Sequence, residues 1–249
     1  MPLPVFAELV DLATVQALAE AQYKASGIPC GLVDARGGAV LAGAGWQDVC
    51  VRFHRANALC AAKCRESDLA ISDSVCRGED CARKCEHGLW DMGVPVMVRG
   101  EHLATLFLGQ FFYEGEAPDH DFFRRQARKY GFETEPYLAA VERVPRFTRE
   151  KVQGILGYNQ ALAGLLASQA ESRLALREET ERQRLARQEA STREAMTRTL
   201  MDAVPTPIFA KGVDLRYLAC NEALARLIGR PREAIEGHSV FELYPHHLA

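Results

Sequence analysis

The chain has 249 residues and a mass of 27.6 kDa, and 48 % of it is hydrophobic. That is enough to fill a real core and too much for a chain disordered throughout. Its formal net charge of −3 is spread without a basic arm, so composition offers no field to draw in nucleic acid or an anionic membrane surface.

The opening residues Phe6, Leu9, Val10, Leu12, Val15 and Leu18 recur at helical spacing and predict one apolar-faced helix. No basic leader precedes them, and no later segment stays apolar for the ~18 residues a membrane span needs, so the expectation is a cytoplasmic protein. IPCGLVD, ARGG and AVLAG then read as strand, turn and strand. After a cysteine-rich stretch of helices and loops, VPVMV, RGEH and LATLFLGQFFY read as a second hairpin. Its near-continuous apolar run suits the covered centre of a sheet. DHDFFRRQARKYG, stopped by Gly131, and EPYLAAVERV, ended by Pro145, read as helices.

Thr148 stands at the N-cap of a long helix that meets no proline before Pro205. Between 171 and 194 that helix is half charged with alternating signs, and Leu174, Leu185 and Met196 recur every eleven residues. A long helix polar on most of its surface is poorly stabilised alone, so the expectation is a parallel homodimeric coiled coil, with a solvated lone helix as the alternative. The remainder, 197–249, reads as helix, proline-bearing turn, strands PIFAKG and RYLAC, and a helix capped by Asn221 and stopped by Gly229. Two strands are too few for an independent core.

Six of the eight cysteines lie between Cys50 and Cys85, with intervals of 9, 3, 11, 4 and 3 residues. In a reducing compartment such crowding points to metal binding or redox chemistry before structural disulfides. Cys60 and Cys64 fall one helical turn apart, so both sulfurs project from one face and can share an ion. Tetrahedral zinc needs four nitrogen or sulfur ligands, and an iron–sulfur cluster takes the same thiolates. Thiol–disulfide sensing and simple burial as small apolar side chains are the other readings. Cys30 and Cys220 read as core. No nucleophile elbow, phosphate-cradling glycine loop or paired carboxylates are visible, which favours an input module over a catalyst.

The stretch MDAVPTPIFAKGVDLRYLACNEALARLIGRPREAIEGHSVFEL resembles the front half of a PAS domain, with Asn221 where that family caps its first helix. A whole PAS domain needs further strands, so the chain is expected to be a piece of a longer sensor. GWQDVCVRFHRANALCAAKCRESDLAIS, KCEHGLWDMGVPVMVRGEHLATLFLGQFF and FFRRQARKYGFETEPYLAAVERVPRFTREKV together resemble the PocR ligand-sensing domain of bacterial signalling proteins, over residues 5–168. The resemblance implies an α+β fold with a PAS-like antiparallel sheet flanked by helices. It also implies a small hydrocarbon derivative, such as a propanediol-type alcohol, as ligand, and an attached regulator or kinase, such as a histidine kinase, as effector. The expected organisation is a sensory domain at 1–168, a coiled-coil linker at 169–196 and an incomplete PAS domain at 197–249.

The segments matching that family single out Cys50, Cys60, Cys64 and Cys85 as the metal quartet, with Cys76 and Cys81 as substitutes. They also supply the ligand-binding candidates Trp46, Phe53, His54, Trp90, Asp91, Pro95 and Gln110. Gln110 is the most informative, because an amide closing an apolar strand needs a partner and Gly109 before it permits close approach. His54 reads as metal ligand, ligand contact or helix cap. His102 is expected exposed in its turn, and His246 and His247 to sit at a loose end. A redox or metal sensor working through the cysteines is the alternative function.

Overall fold

The computed structural model describes residues 3–76 and 82–243. Cys81, His246 and His247 lie outside the described residues, and Cys76 is described for its backbone only. The chain divides into two compact units, Met1–Leu176 and Arg177–Ala249.

The opening apolar run does not form the single helix expected. A one-turn helix, Phe6–Glu8, is followed by α1 (Leu12–Ser26) because Asp11 interrupts, its carboxylate accepting from the Ala13 amide and so capping α1. Gly27, in the left-handed region at φ 71°, ends it. The hairpin β1 (Cys30–Asp34) and β2 (Val40–Ala44) follows, then a π-helical turn, Val49–His54, and α2 (Ala58–Cys76). A two-residue strand β3 (Arg83–Lys84) leads to the hairpin β4 (Trp90–Val98) and β5 (Glu101–Tyr113). Then come α3 (His120–Tyr130), stopped by left-handed Gly131, and α4 (Thr134–Glu142). The short β6 (Arg146–Phe147) precedes α5 (Arg149–Ala203), whose first turn Thr148 caps through the Lys151 amide.

The sheet order is β2-β1-β5-β4-β3, antiparallel throughout, with β6 added parallel to the far end of β5. β5 is the central strand, which explains its continuous apolar run: it is covered on both faces. On one face Leu32, Val94, Val96 and Leu106 pack with α1 and with Leu162, Leu166 and Leu174 of α5. On the other, Val33 and Phe107 meet Ile71 and Val75 of α2. This is the α+β, PAS-like antiparallel architecture that the sequence implied.

The root of α5 buries Val152, Asn159, Leu162, Leu166, Ala170 and Leu174 at helical spacing, after which every residue from 175 to 200 is exposed. Leu174 therefore belongs to the sensory core and not to a seam shared with Leu185 and Met196, as the eleven-residue spacing had suggested.

In the second unit β7 (Phe209–Lys211) pairs with β8 (Tyr217–Cys220), and α6 (Glu222–Ile228) and α7 (Val240–Leu243) follow. Fully buried Asn221 organises it. Its Oδ1 accepts from the amides of Ile208 and Leu224, and its Nδ2 donates to the carbonyls of Met201, Val204 and Thr206.

Candidate ligand chamber

The chamber begins with a fault in the sheet. The pairing of β4 with β5 steps from Trp90–Phe111 to Asp91–Gly109, leaving Gln110 as the extra, bulged residue. Gln110 sits at φ 63°, a left-handed conformation that costs a non-glycine residue about 1–3 kcal/mol unless its surroundings enforce it. Here its Oε1 accepts from the Gln47 amide at 2.7 Å, tying the bulge to the loop after β2. Gly109 makes room for the opposing Asp91, because a Cβ at position 109 would fall on the Asp91 carboxyl group.

Over this bulge lies the inner stripe of α2. Cys60, Cys64, Ser67, Asp68, Ile71, Ser72 and Val75 recur every three or four residues, yet the stripe is largely polar. Asp68 takes an ion pair at 2.9 Å from Arg55, which follows the π-helical turn, and the Arg55 guanidinium also lies 4.6 Å from the centre of the Trp46 ring. Trp46 itself lies flat on the paired glycines Gly31 and Gly43, where a Cβ would meet its ring, and its indole N–H donates to the Cys30 carbonyl.

Two adjoining hollows result. The first, about 20 Å³, is lined by Trp46, Gly31 and Phe107, and the second, about 30 Å³, by Cys50, His54, Cys64, Ser67, Cys85 and His87. Arg55, Asp68, Asp91 and Gln110 border both. A water needs about 10–15 Å³ by this measure, so the pair has room for only a few heavy atoms.

Burial governs the electrostatics. Asp91 Oδ1 has no solvent contact and no hydrogen-bond partner, and burial, aided by nearby Asp68, holds the carboxyl well above the ordinary carboxylate range. Burial also raises Asp68, although Arg55 opposes it. The Cys64 thiol is pushed up to about 11 and Cys85 to about 12, and Cys50 well above its ordinary value, so all three are neutral thiols. His54 is pushed down to about 3 by burial, with the His87 and Arg55 charges adding to it. Its Nε2 is 2.8 Å from the Tyr137 hydroxyl and its ring stacks on His87 at 4.3 Å, while His87 reaches Gln126 and the Cys60 carbonyl.

Of the ligand candidates, Trp46, His54, Asp91 and Gln110 converge on the chamber, and three others lie outside its lining. Phe53 packs against Phe132 and Tyr137, Trp90 donates to Glu116 and packs on Tyr113, and Pro95 lines a groove against α5. Of the cysteine quartet, Cys50, Cys64 and Cys85 border the chamber, whereas buried Cys60 does not. Among the described residues no three His, Cys, Asp or Glu side chains are arranged to hold a metal ion. His102 is half-buried on β5, bonded to Thr105, and not exposed as expected. Arg55, Asp68 and His87 were not foreseen. The signal for Asp68 was present in the α2 stripe: polar residues at helical spacing beside Ile71 and Val75 mark a buried face that is itself a binding surface.

An antiparallel sheet with a small chamber bordered by Arg55, Asp68, Asp91 and Gln110 on one face and an outgoing helix on the other is the architecture of a sensory input domain. Comparison with known families agrees: a model described as a sensory domain found in PocR matches residues 8–171, about two thirds of the chain, and one described as a PAS fold matches 201–249. The chain belongs to the PocR sensory-domain family. No curated protein and no solved structure gives a significant match. Among the described residues no helix is long and apolar enough to cross a membrane.

Proposed function

We propose that this protein is the cytoplasmic input portion of a signalling protein, such as a sensor histidine kinase, and that the chamber binds a small hydrocarbon derivative carrying hydroxyl groups, such as a diol. One observation carries the reading: Asp91 Oδ1 is shut off from water and unpartnered beside hollows that combine apolar walls with a few polar side chains. A buried polar atom without a partner costs about 1–3 kcal/mol, and a ligand hydroxyl supplies the missing partner. The hollow's few-atom capacity favours a compact ligand over an extended one.

Occupancy would pass through the sheet into the root of α5 and along that helix, paired with a second copy of itself through exposed Leu185, Met196 and Leu200. Isothermal titration of the whole chain with 1,2-propanediol tests the binding step. Saturable single-site binding that Asp91→Ala abolishes is expected; no binding by wild type to this or any other small diol overturns the diol reading.

A second reading is favoured by Cys50, Cys64 and Cys85 bordering the same hollow. There the thiols are the input, either as a dithiol or, with Cys60, as ligands to zinc or an iron–sulfur cluster. Elemental analysis and the colour of the purified protein decide it: a metal-free, colourless protein whose diol affinity survives Cys64→Ser excludes this reading.

A further inference from the structure

The walls of the chamber carry eight titratable groups. From β4 comes Asp91; from α2, Asp68 and Cys64; from the π-helical turn and the residue after it, Cys50, His54 and Arg55; and from the loop before β4, Cys85 and His87. Only one of these is a fixed cation. The Arg55 guanidinium is already engaged by Asp68 at 2.9 Å and by the Trp46 ring, so that pair is neutral within itself. Neither imidazole turns to Asp91: His54 is held by Tyr137, and His87 by Gln126 and the Cys60 carbonyl. No lysine lines either hollow. Asp91 Oδ1 is left without a hydrogen-bond partner, and the only fixed positive charge that acts on this carboxyl group is the Arg55 guanidinium already paired with Asp68.

We infer that the preferred ligand brings that charge itself, and that it is a small aliphatic amino alcohol whose ammonium group meets Asp91 while its hydroxyl lies toward Gln110 and the Arg55–Asp68 pair. This rests on the reading of the chamber as the ligand site. A diol offers Asp91 a hydrogen bond only. An ammonium offers a hydrogen bond and a counter-charge, and hydrogen bonds between charged groups in a water-poor site are the stronger class. Three or four carbons' worth of amino alcohol also matches the limited room. Burial raises Asp91 and a bound ammonium lowers it again, so binding of the amino alcohol is accompanied by release of protons to solvent, whereas a diol brings no charge to displace them.

The test titrates the whole chain with 1-amino-2-propanol and with 1,2-propanediol at neutral pH, for wild type and for the isosteric Asp91→Asn, with near-UV circular dichroism to verify the fold. Wild type should bind the amino alcohol ~10-fold or more tightly than the diol, and Asp91→Asn should bring the two affinities to within about 3-fold of each other. Titration of wild type in two buffers of different ionisation enthalpy reads proton release without a variant, and should find it for the amino alcohol alone. If wild type binds the diol as tightly as the amine, or releases no proton with the amine, the amino-alcohol inference is overturned and the chamber reading stands. If neither compound binds, both fall.

Discussion

Asp91 and Met92 are consecutive residues of β4 that serve opposite faces of the sheet: Asp91 borders the ligand chamber, and fully buried Met92 packs in the cluster that contains Val152 at the root of α5. Alternation along a strand makes this unavoidable. Any adjustment of the backbone that draws Asp91 toward a ligand must also move Met92 against α5, and packed interiors transmit such shifts because they have few voids to absorb them. The sheet is therefore the coupling element between chamber and helix in the proposed mechanism.

The Asp91–Gly109 juxtaposition predicts a specific epistasis. Gly109→Ala places a methyl on the Asp91 carboxyl, and overpacking of this kind costs about 1–3 kcal/mol. Urea unfolding should show that loss in Gly109→Ala and its recovery in the double variant Gly109→Ala/Asp91→Ala, a non-additivity of at least ~1 kcal/mol. Additive effects would mean that the methyl is accommodated elsewhere.

Two buried groups pull the pH dependence of stability in opposite directions. His54, at about 3 in the folded chain against an ordinary 6.5, lets the unfolded state bind more protons between those values, so its contribution is lost as pH falls below about 6.5. Asp91, raised above its ordinary 3.8, binds its proton more tightly when folded, so its contribution is lost as pH rises through and beyond that value. Unfolding curves between pH 5 and pH 8 should accordingly show Asp91→Asn more acid-sensitive than wild type, and His54→Gln less so, each slope bounded by about 1.4 kcal/mol per pH unit.

Asn221 joins five backbone groups in the second unit. Asn221→Ala leaves buried amides and carbonyls unpaired and should destabilise that unit by about 2–4 kcal/mol. Hydrogen exchange should rise across β7, β8 and α6 and stay unchanged in the sheet of the first unit.

The exposed part of α5 predicts the association state. Leu185, Met196 and Leu200 are 47 %, 64 % and 59 % exposed on a helix otherwise dominated by charge. Light scattering should give twice the chain mass, and Leu185→Lys/Met196→Lys should reduce it to one chain.

The sheet was legible because turns and alternation leave local marks: ARGG between β1 and β2, RGEH between β4 and β5, and an apolar run where β5 is covered twice. Asp11 was missed as a break because its capping role outweighs the helical spacing of the apolar residues around it. The chamber was half legible. Gln110 and Asp91 stood out as polar residues in apolar strands, but Asp68 lies on a helix whose buried face is polar, and Arg55 and His87 lie in a turn and a loop, none of which apolar periodicity can reveal. Phe53, Trp90 and Pro95 share the sequence neighbourhood of the site and not its interior, since neighbouring residues of a strand or turn point different ways.

The central claim, that the chamber is where the ligand sits and that α5 feels it, is tested most directly by nuclear magnetic resonance. The chain has two tryptophans, Trp46 bordering the chamber and Trp90 outside it, and Met92 reports from the α5 face. Titration with 1-amino-2-propanol should shift the Trp46 indole N–H and the Met92 methyl along one saturation curve while the Trp90 indole N–H moves less than either. Saturable binding that leaves both Trp46 and Met92 unmoved would contradict the account.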